Sequence, residues 1–175
     1  MNLKFFFFAI VCLSIISCST LKPTAFNKSI VKADPVKFFV GHTDSYGVSE
    51  SRNGNPISQI TTQTDGVLKD GVVCIEQDLH PGNGKKNHRS WQLKQIDEHH
   101  LEATANDIEG TARGELNGNY FTWTFRLKVN RGLIKHVKMS QHMYLMTDGQ
   151  TMIIRSVIRK FGIIVQEITE QFKKA

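Results

Sequence analysis

The sequence predicts an all-β domain, an antiparallel meander that closes into a barrel or sandwich. Three observations predict it. Tyr120 to Val129 alternates strictly, with Phe121, Trp123, Phe125, Leu127 and Val129 on one face and Tyr120, Thr122, Thr124, Arg126 and Lys128 on the other, which is the pattern of a half-buried strand. Hairpin dipeptides separate further apolar runs at intervals of ten or so residues. No segment after the leader carries a helical apolar stripe.

The leader comes first. Met1 to Lys4 brings one positive charge, and Phe5 to Ile16 is apolar without a charge, the plan of a secretory signal. Such a run rises only about 18 Å as a helix, whereas a membrane span needs roughly 20 residues. A cleaved signal helix over residues 1–17 is therefore expected rather than a retained anchor. Ile15-Ile16-Ser17-Cys18 has the shape of a bacterial lipobox: aliphatic residues, a small residue, then the cysteine that takes a lipid. Cys12 cannot serve, because Val11 before it is too bulky. The alternative is an ordinary signal peptide cut near Ser17 to Ser19. Acylation of Cys18 would tether the protein to membrane lipid in the cell envelope. Ser19 instead of Asp after the cysteine favours the outer membrane of a Gram-negative cell, facing the periplasm.

Residues 18–33 are polar, include Pro23 and lack periodicity, so they read as a flexible tether. Residues 34–175 read as one domain. Ile57 to Thr64, Gly71 to Leu79, Ser90 to Ile96, Leu101 to Ala105 and Thr111 to Leu116 are strand candidates ahead of Tyr120. After it, Val137, Met139, Met143 and Leu145 alternate with Gln141 interrupting, and Met152 to Arg159 and Gly162 to Phe172 complete the set. Asn53-Gly54 and Asp65-Gly66 mark early turns, Asn117-Gly118 a tight hairpin, and Asp148-Gly149 another between Leu145 and Met152. Asn130-Arg131-Gly132 fits a three-residue loop with glycine in the left-handed position.

Composition excludes several classes. The net charge of +6 is mild and scattered, densest at Lys85-Lys86 and Lys173-Lys174. It suits an anionic membrane surface and lacks the concentrated stripe of a nucleic-acid binder. With Cys12 removed and Cys18 acylated, Cys74 stands alone inside Gly71-Val72-Val73-Cys74-Ile75, a small core hydrophobe with no disulfide partner. There is no G-x-S-x-G, H-E-x-x-H or paired C-x-x-C. Gly82-Asn83-Gly84-Lys85 ends like a phosphate loop, but Leu79 and Lys86 occupy the required Gly and Ser/Thr positions, so it reads as a polar loop. His99 and His100 would face opposite ways on a strand, and His136 and His142 share a face about 20 Å apart, too far for one ion. No metal and no cofactor is expected. Glu76 and Asp78 share a strand face, as Asp107 and Glu109 would, with Arg89, Arg113 and Arg155 available as partners. Such carboxylates serve either as acid–base groups or as solvated ion pairs.

Phe38-Phe39-Val40-Gly41, Glu76 in a strand followed by Arg89-Ser90-Trp91, and the run Ala105 to Gly114 come in an order that resembles a known family. Asn117-Gly118-Asn119, Arg155-Ser156, Lys160-Phe161-Gly162 and Glu167 continue the match. From Lys37 to Phe172, and in the lipobox, the chain resembles the bacterial lipoproteins grouped as domain of unknown function family 3833. It departs where it reads Asn106-Asp107 and Ser140-Gln141-His142-Met143, positions at which the family tends to have two acids and an Asp-Asp-Trp-Met run. The resemblance implies an up-and-down meander forming a lipocalin-like barrel or a strongly curved sheet. It also implies an association with lipid-modifying genes, without an established activity.

The leading expectation is a non-enzymatic envelope protein that holds a lipid or other apolar ligand, with Glu76, Arg89, Trp91, Asp107, Met139, Met143 and Arg155 as binding candidates. The adaptable thioethers suit a flexible chain. The alternatives are an enzyme acting on lipid or envelope substrates, and a structural or assembly factor. A binder requires an internal apolar cavity of several hundred Å³, and an enzyme requires Glu76, Asp107 and an arginine to converge.

Overall fold

The structure, a computed structural model, describes residues 26, 28–131 and 134–175. The leader, Cys18 and the first part of the tether lie outside the described residues. The described residues form a short helix, α1 (Pro35–Phe39), and ten strands. These are β1 (Gly41–Ser51), β2 (Pro56–Lys69), β3 (Val72–Pro81), β4 (Asn87–Gln95), β5 (His100–Ala105), β6 (Ile108–Asn117), β7 (Tyr120–Arg131), β8 (Ile134–Leu145), β9 (Thr151–Lys160) and β10 (Ile163–Lys174). Each strand runs antiparallel to the next, and β10 returns to pair with β1 from Thr43↔Lys174 to Ser51↔Gln166. The sheet is thus a closed barrel without an edge, and the sandwich alternative is excluded.

α1 stops one end of the barrel. Asp34 Oδ1 accepts from the Lys37 amide at 2.8 Å, and Pro35 opens the first turn, where its missing N–H costs nothing. Phe38 and Phe39 are buried, and Phe39 packs edge-on against Phe172. Lys174 Nζ donates to the carbonyls of Lys37, Phe38 and Val40 at 3.0, 3.1 and 2.7 Å. The last residue of β10 thereby satisfies the orphan carbonyls of α1 with a cation.

The expected turn at Asp65-Gly66 is corrected: both residues lie inside β2, and the reversal comes at Asp70-Gly71, each with positive φ. Gly66 is in the strand because the Phe39 carbonyl oxygen sits 1.7 Å from where a Cβ would be. Its glycine makes room for the plug, not for a reversal. The expected hairpin at Asn117-Gly118 is present, with Gly118 and Asn119 as its central residues. Gly118 has φ +58, the requirement of a turn with glycine first. The expected loop at Asn130-Arg131-Gly132 runs into residues 132 and 133, outside the described residues. β1 went unpredicted because its buried positions are Thr43, Ser45 and Ser49, which carry no apolar alternation. Part of the expected tether lies on the barrel: Phe26 stacks on Tyr120 at 5.3 Å, and the Ala33 amide donates to the Gly118 carbonyl at 2.7 Å.

Candidate functional site

The alternation that makes β3, β4, β7, β8 and β9 strands also turns their apolar residues inward, and these line a cavity of ≈ 130 Å³. α1 closes the barrel at one end. The rim opposite is formed by Ile60, Leu79, Leu127, Ile158 and Ile168, near strand ends remote from α1. At the centre Trp91 and Trp123 stack with their rings 4.9 Å apart and 16° from parallel, the offset geometry aromatic pairs prefer. Each indole N–H is satisfied inside the barrel. Trp91 Nε1 donates to Gln77 Oε1 at 3.0 Å and Trp123 Nε1 to Gln141 Oε1 at 2.6 Å. The two amides are held in turn, Gln77 Nε2 donating to Thr64 Oγ1 at 3.2 Å and Gln141 Nε2 to Ser156 Oγ at 2.9 Å. Met139 and Met143 are buried beside this stack.

The wall formed by β1, β2 and β10 mixes the apolar Ile60, Ile168 and Phe172 with the buried polar Ser45, Thr62 and Glu170. Glu170, 8% exposed, borders the cavity. Its Oε1 accepts from Ser45 Oγ and from Thr62 Oγ1, both at 2.9 Å, leaving Oε2 for the cavity. Burial pushes this carboxyl above the usual glutamate range, against the opposing pull of the two hydroxyls and of the Arg89 charge. When protonated, such a carboxyl donates a hydrogen bond as well as accepting one.

Arg89 sits at the rim. Its side chain is 11% exposed and grips Asp107 Oδ2 through Nε at 2.7 Å and an Nη at 2.6 Å. The guanidinium carbon also lies 5.6 Å from the Trp91 ring centre. Asp107 comes from the β5–β6 turn, and its Oδ1 is buried without a partner among the described residues.

Of the seven residues singled out from sequence, Arg89, Trp91, Met139 and Met143 line the cavity, and Asp107 reaches it through Arg89. Glu76 and Arg155 do not line it: both are on the outer face, where Glu76 meets His88 and Ser90, and Arg155 meets Glu167 at 2.7 Å. Glu76, Asp107 and an arginine therefore do not converge, as a catalytic cluster built on them would require. The outward carboxylates instead bracket His88, with Asp78 on Nδ1 at 2.7 Å and Glu76 on Nε2 at 2.8 Å, and these bonds hold the imidazole above its usual range. Among the described residues no group of three His, Cys, Asp or Glu is arranged to hold a metal ion.

Sequence reasoning missed Gln77, Trp123, Gln141 and Glu170 as site residues. Two of them left a trace: Gln141 interrupts the inward row of β8, and Glu170 falls between Ile168 and Phe172 in the inward row of β10.

The family of proteins of unknown function described as DUF3833 matches residues 12–174 of the chain. Among solved structures the chain is similar to the S-type phycobiliprotein lyase from Guillardia theta. The TM-score is 0.56 at 11% identity, over 80% of this chain and 90% of that one, a likeness of fold: the lipocalin-like barrel. No curated protein matches the sequence.

Proposed function

The chain belongs to the DUF3833 family, and on that premise we propose that it is a lipid-anchored envelope protein whose barrel holds the apolar part of a small ligand. Acylated Cys18 is the anchor in this reading, and the outer membrane facing the periplasm its location. The observation that carries the ligand role is the interior cavity, lined mostly by apolar side chains with Trp91, Trp123, Met139 and Met143 among them, and bordered by the buried carboxyl of Glu170.

The cavity's size sharpens the proposal. At ≈ 130 Å³ it is close to an engineered cavity that takes benzene, and below the roughly 300–1,000 Å³ of a drug-sized site. A bulky ligand is thereby disfavoured. A slim one, such as a single acyl chain, enters by displacing flexible side chains, and Met139 and Met143 are the two best able to yield. Glu170 then meets a hydrogen-bonding group of the ligand.

Purified protein, extracted with organic solvent and analysed by mass spectrometry, is expected to release an apolar molecule. Titration of the emptied protein with a fatty acid is expected to change the emission of the stacked tryptophans. Extracts without such a molecule, together with emission unmoved by fatty acid, would count against the ligand role. The anchor is tested separately: Cys18→Ser is expected to lose the acyl mass, and an unchanged mass would remove that part.

A further inference from the structure

We propose that the β9–β10 hairpin and the basic face behind it dock on an anionic phospholipid bilayer, with Phe161 entering the acyl boundary. The starting point is a residue that breaks its local rule. Lys160 pairs with Ile163, so Phe161 and Gly162 form a two-residue hairpin loop with φ +52 and +81. Both central residues of such a turn need positive φ, which Asn or Asp tolerates at the first place and a bulky side chain does not. The β2–β3 hairpin has the same geometry and carries Asp70 there. Phe161 has the strain without a packing return: it is 90% exposed, with the Lys160 ammonium 5.4 Å from its ring centre. Ile163 and Val165 extend the exposed apolar edge down β10.

Behind this tip the outer face is cationic in a way folding alone disfavours. Arg126 pairs directly with Lys138, and Lys138 with Arg159, which sets three like charges side by side across β7, β8 and β9. Directly opposed like charges destabilise a sheet. Glu109 answers Arg126 at 3.0 Å and His136 at 3.4 Å. Among the described residues Lys138, Arg159 and Lys160 have no acidic partner. Together they line a groove of ≈ 650 Å³ next to Phe161.

A protruding aromatic tip beside unpaired cations fits lipid headgroups over an apolar layer, because the partner must offer dense negative charge and hydrocarbon within one side-chain length. Phe26 stacks on Tyr120 and meets Tyr144 at 5.6 Å, on the outer face of β7 and β8. This contact is at the plugged end of β7, six positions along the strand from Arg126, so the docking tip lies at the end of the barrel opposite the one where the N-terminal segment packs.

The test uses the full chain with Phe161→Trp, reconstituted in phosphatidylcholine vesicles with or without phosphatidylglycerol, the acyl chains brominated. Trp91 and Trp123 are buried inside the barrel, so the wild type supplies the background emission. Most of the emission added by the new indole is expected to be quenched when phosphatidylglycerol is present. Neutralising Arg159 and Lys160 to Gln is expected to restore it, each charge removed weakening the contact about fivefold. A second reporter, Val67→Trp, sits exposed at the plugged end and is expected to stay unquenched. Emission at 161 that is unquenched, quenched equally without phosphatidylglycerol, or matched by quenching at 67 overturns the proposal. The cavity's test reads bound ligand and this one reads the position of residue 161, so either can fail alone.

Discussion

Replacing Glu170 with Gln, and separately with Ala, divides the charge of this buried carboxyl from its shape. Its raised pKa means that the folded state binds the proton more tightly than the unfolded chain does. The contribution of this group to stability is then fully present below the ordinary glutamate value of 4.5 and is lost as pH rises from there through the folded value. Glu170→Gln keeps an oxygen to accept from Ser45 and Thr62 and has no charge to bury. It is expected to be more stable than wild type at neutral pH, by on the order of 1 kcal/mol or about 2–4 °C in Tm, with the advantage vanishing in acid. Glu170→Ala leaves two hydroxyls, each no more than 2% exposed, without their acceptor. At about 1–3 kcal/mol for each orphaned group, that variant is expected to fall about 2–6 kcal/mol below wild type. Thermal or urea melts from about pH 4 to 8 read both effects, the interval in which a displaced glutamate changes charge. Parallel pH profiles for wild type and Glu170→Gln would refute the buried-charge reasoning. An Ala variant as stable as the Gln variant would refute the hydrogen-bond part.

Gly66→Ala places a methyl group 1.7 Å from the Phe39 carbonyl oxygen; calorimetry is expected to show a loss of about 1–3 kcal/mol or more as α1 is pushed off its seat. Asp107→Ala strands the buried Arg89 guanidinium, and a loss of about 1–3 kcal/mol in urea unfolding is expected. The His88 C2 proton, followed by NMR, should titrate above 6.5, and Asp78→Asn should bring it down. The charged imidazole's contribution is present at low pH and fades as pH rises through the folded value.

The parts of the fold legible in sequence were those with local causes. The strict alternation of β7 follows from side chains pointing to opposite faces of a strand, and Trp123 and Phe125 point inward as that period requires. Trp91, Met139 and Met143 face the cavity for the same reason. The hairpin around Gly118 was legible because few residues take positive φ without strain. Glu76 and Arg155 were misplaced because a charged residue between apolar neighbours reads as a functional candidate, while the outward row of a strand is where charge ordinarily lies.

By itself the sequence determined an all-β antiparallel meander with an inward apolar row, since alternation and turn chemistry act over a few residues. The tertiary structure decided which hydroxyls and acids share the interior with that row. Thr43, Ser45 and Ser49 are inside because β1 closes the barrel against β10. Small polar residues have too little transfer energy to announce a buried face. Glu170 becomes a buried acid when closure brings Ser45, 125 residues away in sequence, and Thr62, 108 residues away, onto one of its oxygens. A carboxyl's environment is set by the strands across the barrel from it, and no local pattern of residues encodes how far around the sheet will curl before its ends meet.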